Sequence, residues 1–389
     1  MRKVGILTFH YSNNYGGVLQ SYALYRFLQS LDVNVEIVDY VPSSYRPGSL
    51  ARNLLRSTGL RRNPQDIDIR DFLPRLLLTR ALATATFNKR NLAKFEAFRH
   101  SFMHLSGRVD EHTIHSILPH YTTVVVGSDQ IWGPEQRGKP VYFLGFDDFS
   151  GKRVSYAADS TTAEVSSEHL PKLTRELERF DHISVRNEPS QRFVETITGH
   201  RPPVVVDPTL LWGFDELSSG FMSDSEPYIA VYVLGKDIHG SNVEAIKSIK
   251  RTYGDLKVYA VIIPTMKFNP CEFADRVFYD LGPEQWLDMI RHAAFVFTDS
   301  FHGTLFSLKF HRPFLAYHVE EKRSTRFIDL GKRYQIERYI VTSVDEIDAK
   351  GSLLQEPDHQ VIDRVIDEHR DFSIKFLKEA LEIDGKGLS

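Results

Sequence analysis

The stretch VGILTFHYSNNYGGVLQSYALYRFLQSLDVNVEIVDY, Val4 to Tyr40, decides how the rest of the chain is read. It opens on an apolar run, VGILTF, and passes through a polar, glycine-bearing loop, HYSNNYGG. The next segment places Val18, Leu19, Tyr22, Ala23, Tyr25, Phe27 and Leu28 close to helical period. NVEIVDY then alternates apolar and polar. Strand, helix and strand at this spacing predict a βαβ unit and a parallel sheet.

Working outward, the same rhythm returns in two series. TTVVVGSDQIW, RVSYAADS, HISV and PPVVVDPTLLW read as strands running into loops, and GFDELSSGFMSDSEP (213–227) reads as a linker. YIAVYVLG, LKVYAVIIP, AFVFTDS and RPFLAYH are strands of a second series, with helices between them, and a long amphipathic helix closes the chain. The expected fold class is α/β, with two Rossmann-like doubly wound domains facing across a cleft, 1–213 and 214–389. An insertion at about 46–118 interrupts the first. Its 46–99 part carries twelve Lys/Arg against four Asp/Glu, with helical patterns in FLPRLLLTRALA and NLAKFEAFRHSF. That segment reads either as a solvated helical hairpin or as a basic surface for anionic lipid or a lipid diphosphate.

The 389 residues exceed one ordinary core and suit two domains. A net charge of -3 gives no basic field for nucleic acid. The single cysteine, Cys271, allows no intramolecular disulfide and points to a reducing compartment with a buried, inert thiol. The first apolar run ends after Leu7, too short for a signal peptide, and no run approaches the roughly 18 apolar residues of a membrane span. A cytoplasmic protein is expected, with contact with the inner membrane surface through 46–99 left open.

Ligands of open α/β sheets bind beyond the carboxyl ends of the strands, and the unusual polar residues fall there. Asn13, Asn14, Tyr15, Gly16 and Gly17 follow the first strand. Ser128, Asp129 and Gln130 follow VVVG, Arg186 and Asn187 follow ISV, and Asp207 follows VVV. Asp299, Ser300, His302, Gly303 and Thr304 follow FVF. Two of these loops run into helix starts, whose free N–H groups favour anions. Each residue also has a plainer reading: Gly16 and Gly17 suit a tight turn, Asp129 a cap, Arg186 a pair with Glu188, His302 and His10 a buried structural role. H-E-x-x-H, Cys/His clusters, a Walker A loop and G-x-G-x-x-G are missing from the sequence, so neither a metal nor a dinucleotide cofactor is expected.

TFHYSNNYGGVLQSYAL (8–24), VVVGSDQIW (124–132), SVRNEPS (184–190), VVVDPTLLW (204–212) and TDSFHGTLFSL (298–308) together resemble the polysaccharide pyruvyl transferase family, in the right order over residues 4 to about 330. The resemblance implies a GT-B-like fold. It implies transfer of pyruvate from phosphoenolpyruvate, as co-substrate, to a sugar of a cell-surface polysaccharide or its lipid-linked precursor. A cyclic ketal forms and phosphate is released. It makes His302 the general acid and Arg186 a donor-binding cation, with Ser300, Gly303 and Thr304 at the donor's helix start. Asp129 is the candidate base. Asn13, Asn14, Tyr15, Gly16, Gly17, Ser128 and Gln130 are left for acceptor or anion. The chain departs from the family in two places. No arginine stands among Thr298 to Phe301, where many members carry one, so Arg326, or Arg323, is expected to supply that charge. SYAADS places an acid, Asp159, near the cleft. The rival readings are a nucleotide-sugar glycosyltransferase and a non-catalytic glycan-binding homologue.

Overall fold

A computed structural model describes residues 3–45, 89–263, 271 and 273–383; the FLPRLLLTRALA pattern lies outside them. The opening βαβ unit forms as read. β1 (Val4–Leu7), α1 (Tyr15–Ser30) and β2 (Val35–Ile37) begin a five-stranded sheet completed by β3 (Thr123–Val126), β4 (Lys152–Ala158) and β5 (His182–Val185). Its order is β2-β1-β3-β4-β5 and every pairing is parallel. The second sheet holds β6 (Tyr228–Tyr232), β7 (Lys257–Val261), β8 (Arg276–Phe278), β9 (Phe295–Thr298), β10 (Phe314–Tyr317) and β11 (Ile340–Val341). It is parallel throughout, in the order β11-β10-β9-β6-β7-β8. The strand order reverses between β1 and β3 in one sheet and between β6 and β9 in the other. Crevices open at such switch points.

The two domains share a core. Tyr15, Val18, Leu19 and Tyr22 of α1 join one apolar cluster with Trp286, Leu287 and Phe306 of the second domain. Tyr15 is fully buried and its ring lies parallel to the Trp286 indole, centroids 5.2 Å apart. Its hydroxyl donates to the Leu281 carbonyl at 3.0 Å. Tyr15 is therefore a domain-interface residue, not the ligand-binding residue the sequence suggests.

Two further expectations change. Residues 89–102 form a helix, α2, but it is no solvated hairpin. Phe95 and Phe98 are buried, Asn91 Nδ2 donates to the same Leu281 carbonyl at 3.1 Å, and Lys94 Nζ donates to Gln285 at 2.9 Å. This part of the basic insertion braces one domain against the other. PPVVVDPTLLW makes no full strand: Pro202 and Pro203 lack the N–H a ladder needs, and only Val204 bridges Val185. The chain leaves the sheet there, and Val206 N donates to Ser373 Oγ at 2.9 Å. Ser373 belongs to the long last helix (His359–Ala380), whose C-terminal end returns to the first domain: Phe376 meets His182 edge-on and Lys152 pairs with Glu382 at 2.8 Å. No helix among the described residues is long and apolar enough to cross a membrane.

Candidate active site

Helix α6 (Pro283–Arg291) packs under α7 (Phe301–Lys309), which starts directly after β9. Ser300 caps α7, its Oγ accepting from Gly303 N at 3.2 Å, and Ser300 N donates to Thr298 Oγ1 at 3.0 Å. These bonds fix His302 one residue inside the helix, at the switch point of the second sheet. Facing it is the start of α1. Asn14 caps that helix through Gly17 N at 3.2 Å. Between the two helix starts lies a cavity of about 300 Å³. Phe9, Ser12, Asn14, Asp129 and Gln130 line it from the first domain; Leu234, Asp299, Ser300, Phe301, His302, Arg326 and Phe327 line it from the second. A larger hollow of about 460 Å³ opens beside Lys152, Arg153 and Asp181. It lies at the amino ends of β3 and β4, and the Arg153 guanidinium there is already bonded to the carbonyls of Leu144, Phe146 and Phe149. The switch-point cavity is the one with chemistry.

His302 is 8% exposed and its Nε2 lies 3.4 Å from Asp207 Oδ2. The ring rests on Gly16: a Cβ built there would meet Nδ1 at 2.1 Å and Cγ at 2.4 Å. No other residue type fits against the imidazole. Gly16→Ala is therefore expected to keep the fold, since alanine favours helix, yet to displace His302 and lower turnover about 10²-fold, the effect of a misplacement near 1 Å. Turnover measured beside the melting temperature checks this; unchanged turnover would show that the ring does not need its present seat.

Behind His302 is a buried charge cluster. Arg186, 2% exposed, donates through NH1 to Asp207 Oδ2 at 3.0 Å and through NH2 to Asp159 Oδ2 at 2.6 Å. Asp129 Oδ1 lies 3.6 Å from NH2, and the Phe301 ring covers the guanidinium at 4.6 Å. Burial works against the charge, but Asp159, Asp207 and Asp129 outweigh it and hold the Arg186 pKa above its ordinary value. Burial alone would raise Asp207; His302, Arg186 and the Thr209 amide reverse that and hold it well below the usual carboxylate range. Asp159 is lowered too, burial being overcome first by Arg186 and then by Arg326.

The cluster corrects the reading of Arg186. It does not present a free fork to a donor anion, and its partner is not Glu188, which pairs with Arg192 at 3.4 Å. Ser128 is fully buried, donating to the Ala157 carbonyl at 2.9 Å, and Thr304 is fully buried with its hydroxyl on the Ser300 carbonyl at 3.0 Å. Gly303 spends its amide on the Ser300 cap. These three support the site from behind. Asn13 accepts from the Arg99 guanidinium at 3.4 Å, and Gly17 packs beside Asp129. His10 is buried on Asp39 at 3.0 Å, a structural role. The structure brings Asn14, Gly16, Asp129, Gln130, Ser300, His302 and Arg326 together at the cavity. Arg323 is on the helix Glu321–Tyr334 with Arg326, and its side chain lies outside the described residues. Asp207 and Asp159 are the cluster residues the sequence did not rank; their position after apolar runs that read as strands was the signal available. Among the described residues no three His, Cys, Asp or Glu side chains are arranged to hold a metal ion.

The family profile described as "Polysaccharide pyruvyl transferase" matches residues 14–319. No curated protein is matched by sequence. Among solved structures the chain is similar to Arabidopsis thaliana UGT89C1 complexed with UDP-L-rhamnose: TM-score 0.53, 12% identity, 98% of each chain covered. It is also similar to a putative UDP-N-acetylglucosamine 2-epimerase from Listeria monocytogenes: TM-score 0.52, 11% identity, 99% of this chain and 98% of the other. At such identities the likeness concerns the fold, which is of the GT-B type.

Proposed function

This chain belongs to the polysaccharide pyruvyl transferase family, and from that premise we propose that it transfers pyruvate from phosphoenolpyruvate to two hydroxyls of one sugar in a cell-surface polysaccharide or its lipid-linked precursor. The observation that carries the reading is His302, held at a helix start on one wall of the cavity, with Arg326 on the same wall and Asp129 opposite.

Phosphoenolpyruvate is an enol phosphate with a latent electrophile at C2. A proton added to its methylene carbon makes the methyl group and leaves C2 cation-like. One sugar hydroxyl adds to C2 and loses its proton. The second hydroxyl then displaces phosphate, which leaves with the C2–O bond electrons and takes that hydroxyl's proton, and the ketal ring closes. His302 supplies the first proton; general-acid help of this kind is worth roughly 10²–10⁴-fold. Asp129, with its side chain one-fifth exposed, is the carboxylate placed to take a hydroxyl proton. The first-turn amides of Phe301 and His302 have no partner within their helix and favour an anion there. A helix end contributes at most about 2 kcal/mol, too little for a donor with carboxylate and phosphate together. Arg326 is the side chain we assign to that charge. Phe301, in the Thr298 to Phe301 stretch that lacks the arginine many family members carry, shields Arg186 from the cavity instead.

Arg326→Ala is expected to weaken phosphoenolpyruvate by the worth of a charge-assisted hydrogen bond, about 1.5–3 kcal/mol or roughly 10- to 10²-fold in Kd. Calorimetric titration reads it directly. Unchanged affinity would remove Arg326 from the donor site. Both solved relatives named above act on or carry UDP-sugars, so a UDP-sugar is the rival ligand for the same titration.

A further inference from the structure

We propose that Asp207 is a positioning residue that fixes the His302 tautomer, so that Nε2–H is held permanently and Nδ1 is the nitrogen that carries the transferred proton. The proposal rests on the reading of His302 as general acid, and deepens it.

The two faces of the imidazole are unlike. Nε2 is buried without a well-formed hydrogen bond, and Asp207 Oδ2 lies 3.4 Å from it. That carboxylate is fixed on every side. Its Oδ1 accepts from Thr209 N at 3.0 Å and from Thr209 Oγ1 at 2.9 Å. Its Oδ2 accepts from Arg186 NH1 at 3.0 Å, with Ser128 Oγ at 3.5 Å. So many donors on a fully buried carboxylate keep it ionised, and an ionised carboxylate accepts but never donates. Nε2 must then bear hydrogen in both protonation states of the ring. The other nitrogen, Nδ1, rests over Gly16 at the start of α1, the helix whose cap Asn14 lines the cavity opposite His302. The charged groups around the ring are Asp207 behind it, with Arg186 and Asp159 beyond, and Asp129, Asp299 and Arg326 around the cavity.

The proton balance follows. The imidazolium, with N–H at both positions, gives its Nδ1 proton to the methylene carbon. The C=C π pair forms the new C–H bond, and the N–H pair stays on Nδ1. The product is the neutral Nε2–H ring, which the Asp207 carboxylate 3.4 Å from Nε2 stabilises. Were the ring reversed, the neutral product would face Asp207 with a bare lone pair, and two acceptors would oppose each other. Asp207 thus favours the acid that reacts and the base that results, without touching substrate.

The test is ¹⁵N NMR of histidine-labelled full-length protein without any ligand, with the His302 signals assigned by their loss in His302→Gln. At a pH where the ring is neutral, wild type is expected to show the Nε2–H tautomer. In Asp207→Ala, which takes the acceptor away from Nε2, the ring is expected to lose its preference for Nε2–H and populate Nδ1–H. The same variant is expected to bind phosphoenolpyruvate with unchanged Kd while its transfer rate falls at least about 10²-fold. Wild type found as Nδ1–H, the same tautomer ratio in both proteins, or a transfer rate unaffected by Asp207→Ala would each overturn the proposal. Should Asp207→Ala fail to fold, the wild-type tautomer alone decides. The NMR arm uses no donor, so failure of phosphoenolpyruvate to bind would strike the functional reading and leave this inference standing or falling by its own signal.

Discussion

His302→Ala is expected to abolish detectable ketal formation, a fall of at least about 10²-fold and up to 10⁴-fold, while the protein stays folded. The loss follows from position. The neighbouring side chains are engaged elsewhere: Ser300 is occupied as the cap, Asp299 accepts from Leu234 N, and Phe301 lies over Arg186. The fold survives because Asp207 keeps Arg186 and Thr209 when the imidazole is gone. Phosphate release and product mass, measured beside a thermal melt, check both halves. A folded variant with near wild-type turnover would take His302 out of the mechanism.

The second large effect is on stability. Arg186→Met removes the one cation that touches Asp159, Asp207 and Asp129 together. Two of those carboxylates are fully buried, and stripping a buried pair of one partner costs about 3–5 kcal/mol, because the charge left behind is uncompensated. The pH dependence has a definite sign. Asp159 and Asp207 are held below their ordinary value of 3.8, so the stability they contribute is present above that pH and is lost as pH falls toward their folded values. In the variant, protonation relieves the uncompensated charge. Wild type and variant should therefore differ most in urea midpoint near pH 7 and converge below about pH 4. Equal midpoints at pH 7 would mean that the cluster holds nothing together.

These residues also show what a sequence can and cannot carry. Alternating strands and helices with polar residues after each strand were legible because period and loop chemistry are local properties. The two loops that run into helix starts belong to the same class. The cluster was not legible: Asp207 and Asp159 stand 21 and 27 residues from Arg186 and come from separate segments, Asp159 from the end of β4 and Asp207 from beyond the Val204 bridge. Glu188 was the plausible neighbour in sequence, but the helix it opens carries its side chain away from the cavity to Arg192. Tyr15 stands in a polar glycine loop and reads like a ligand contact; only the facing Trp286 reveals a domain-interface residue. Likewise the charges of 89–102 say that the helix is wetted on one side, while Asn91, Phe95 and Phe98 decide what its other side meets. The last helix is amphipathic in sequence, and its return to the first domain is a matter of chain path, fixed by Ser373 and Phe376.

The central claim is that the cavity between the α1 and α7 starts takes an anionic three-carbon enol phosphate. Calorimetric titration of the wild-type protein with phosphoenolpyruvate, run beside titrations with UDP-sugars, tests it most directly. The account predicts saturable one-site binding of phosphoenolpyruvate that weakens in Arg326→Ala, with no comparable binding of a UDP-sugar. Saturable binding of a UDP-sugar and none of phosphoenolpyruvate would contradict it.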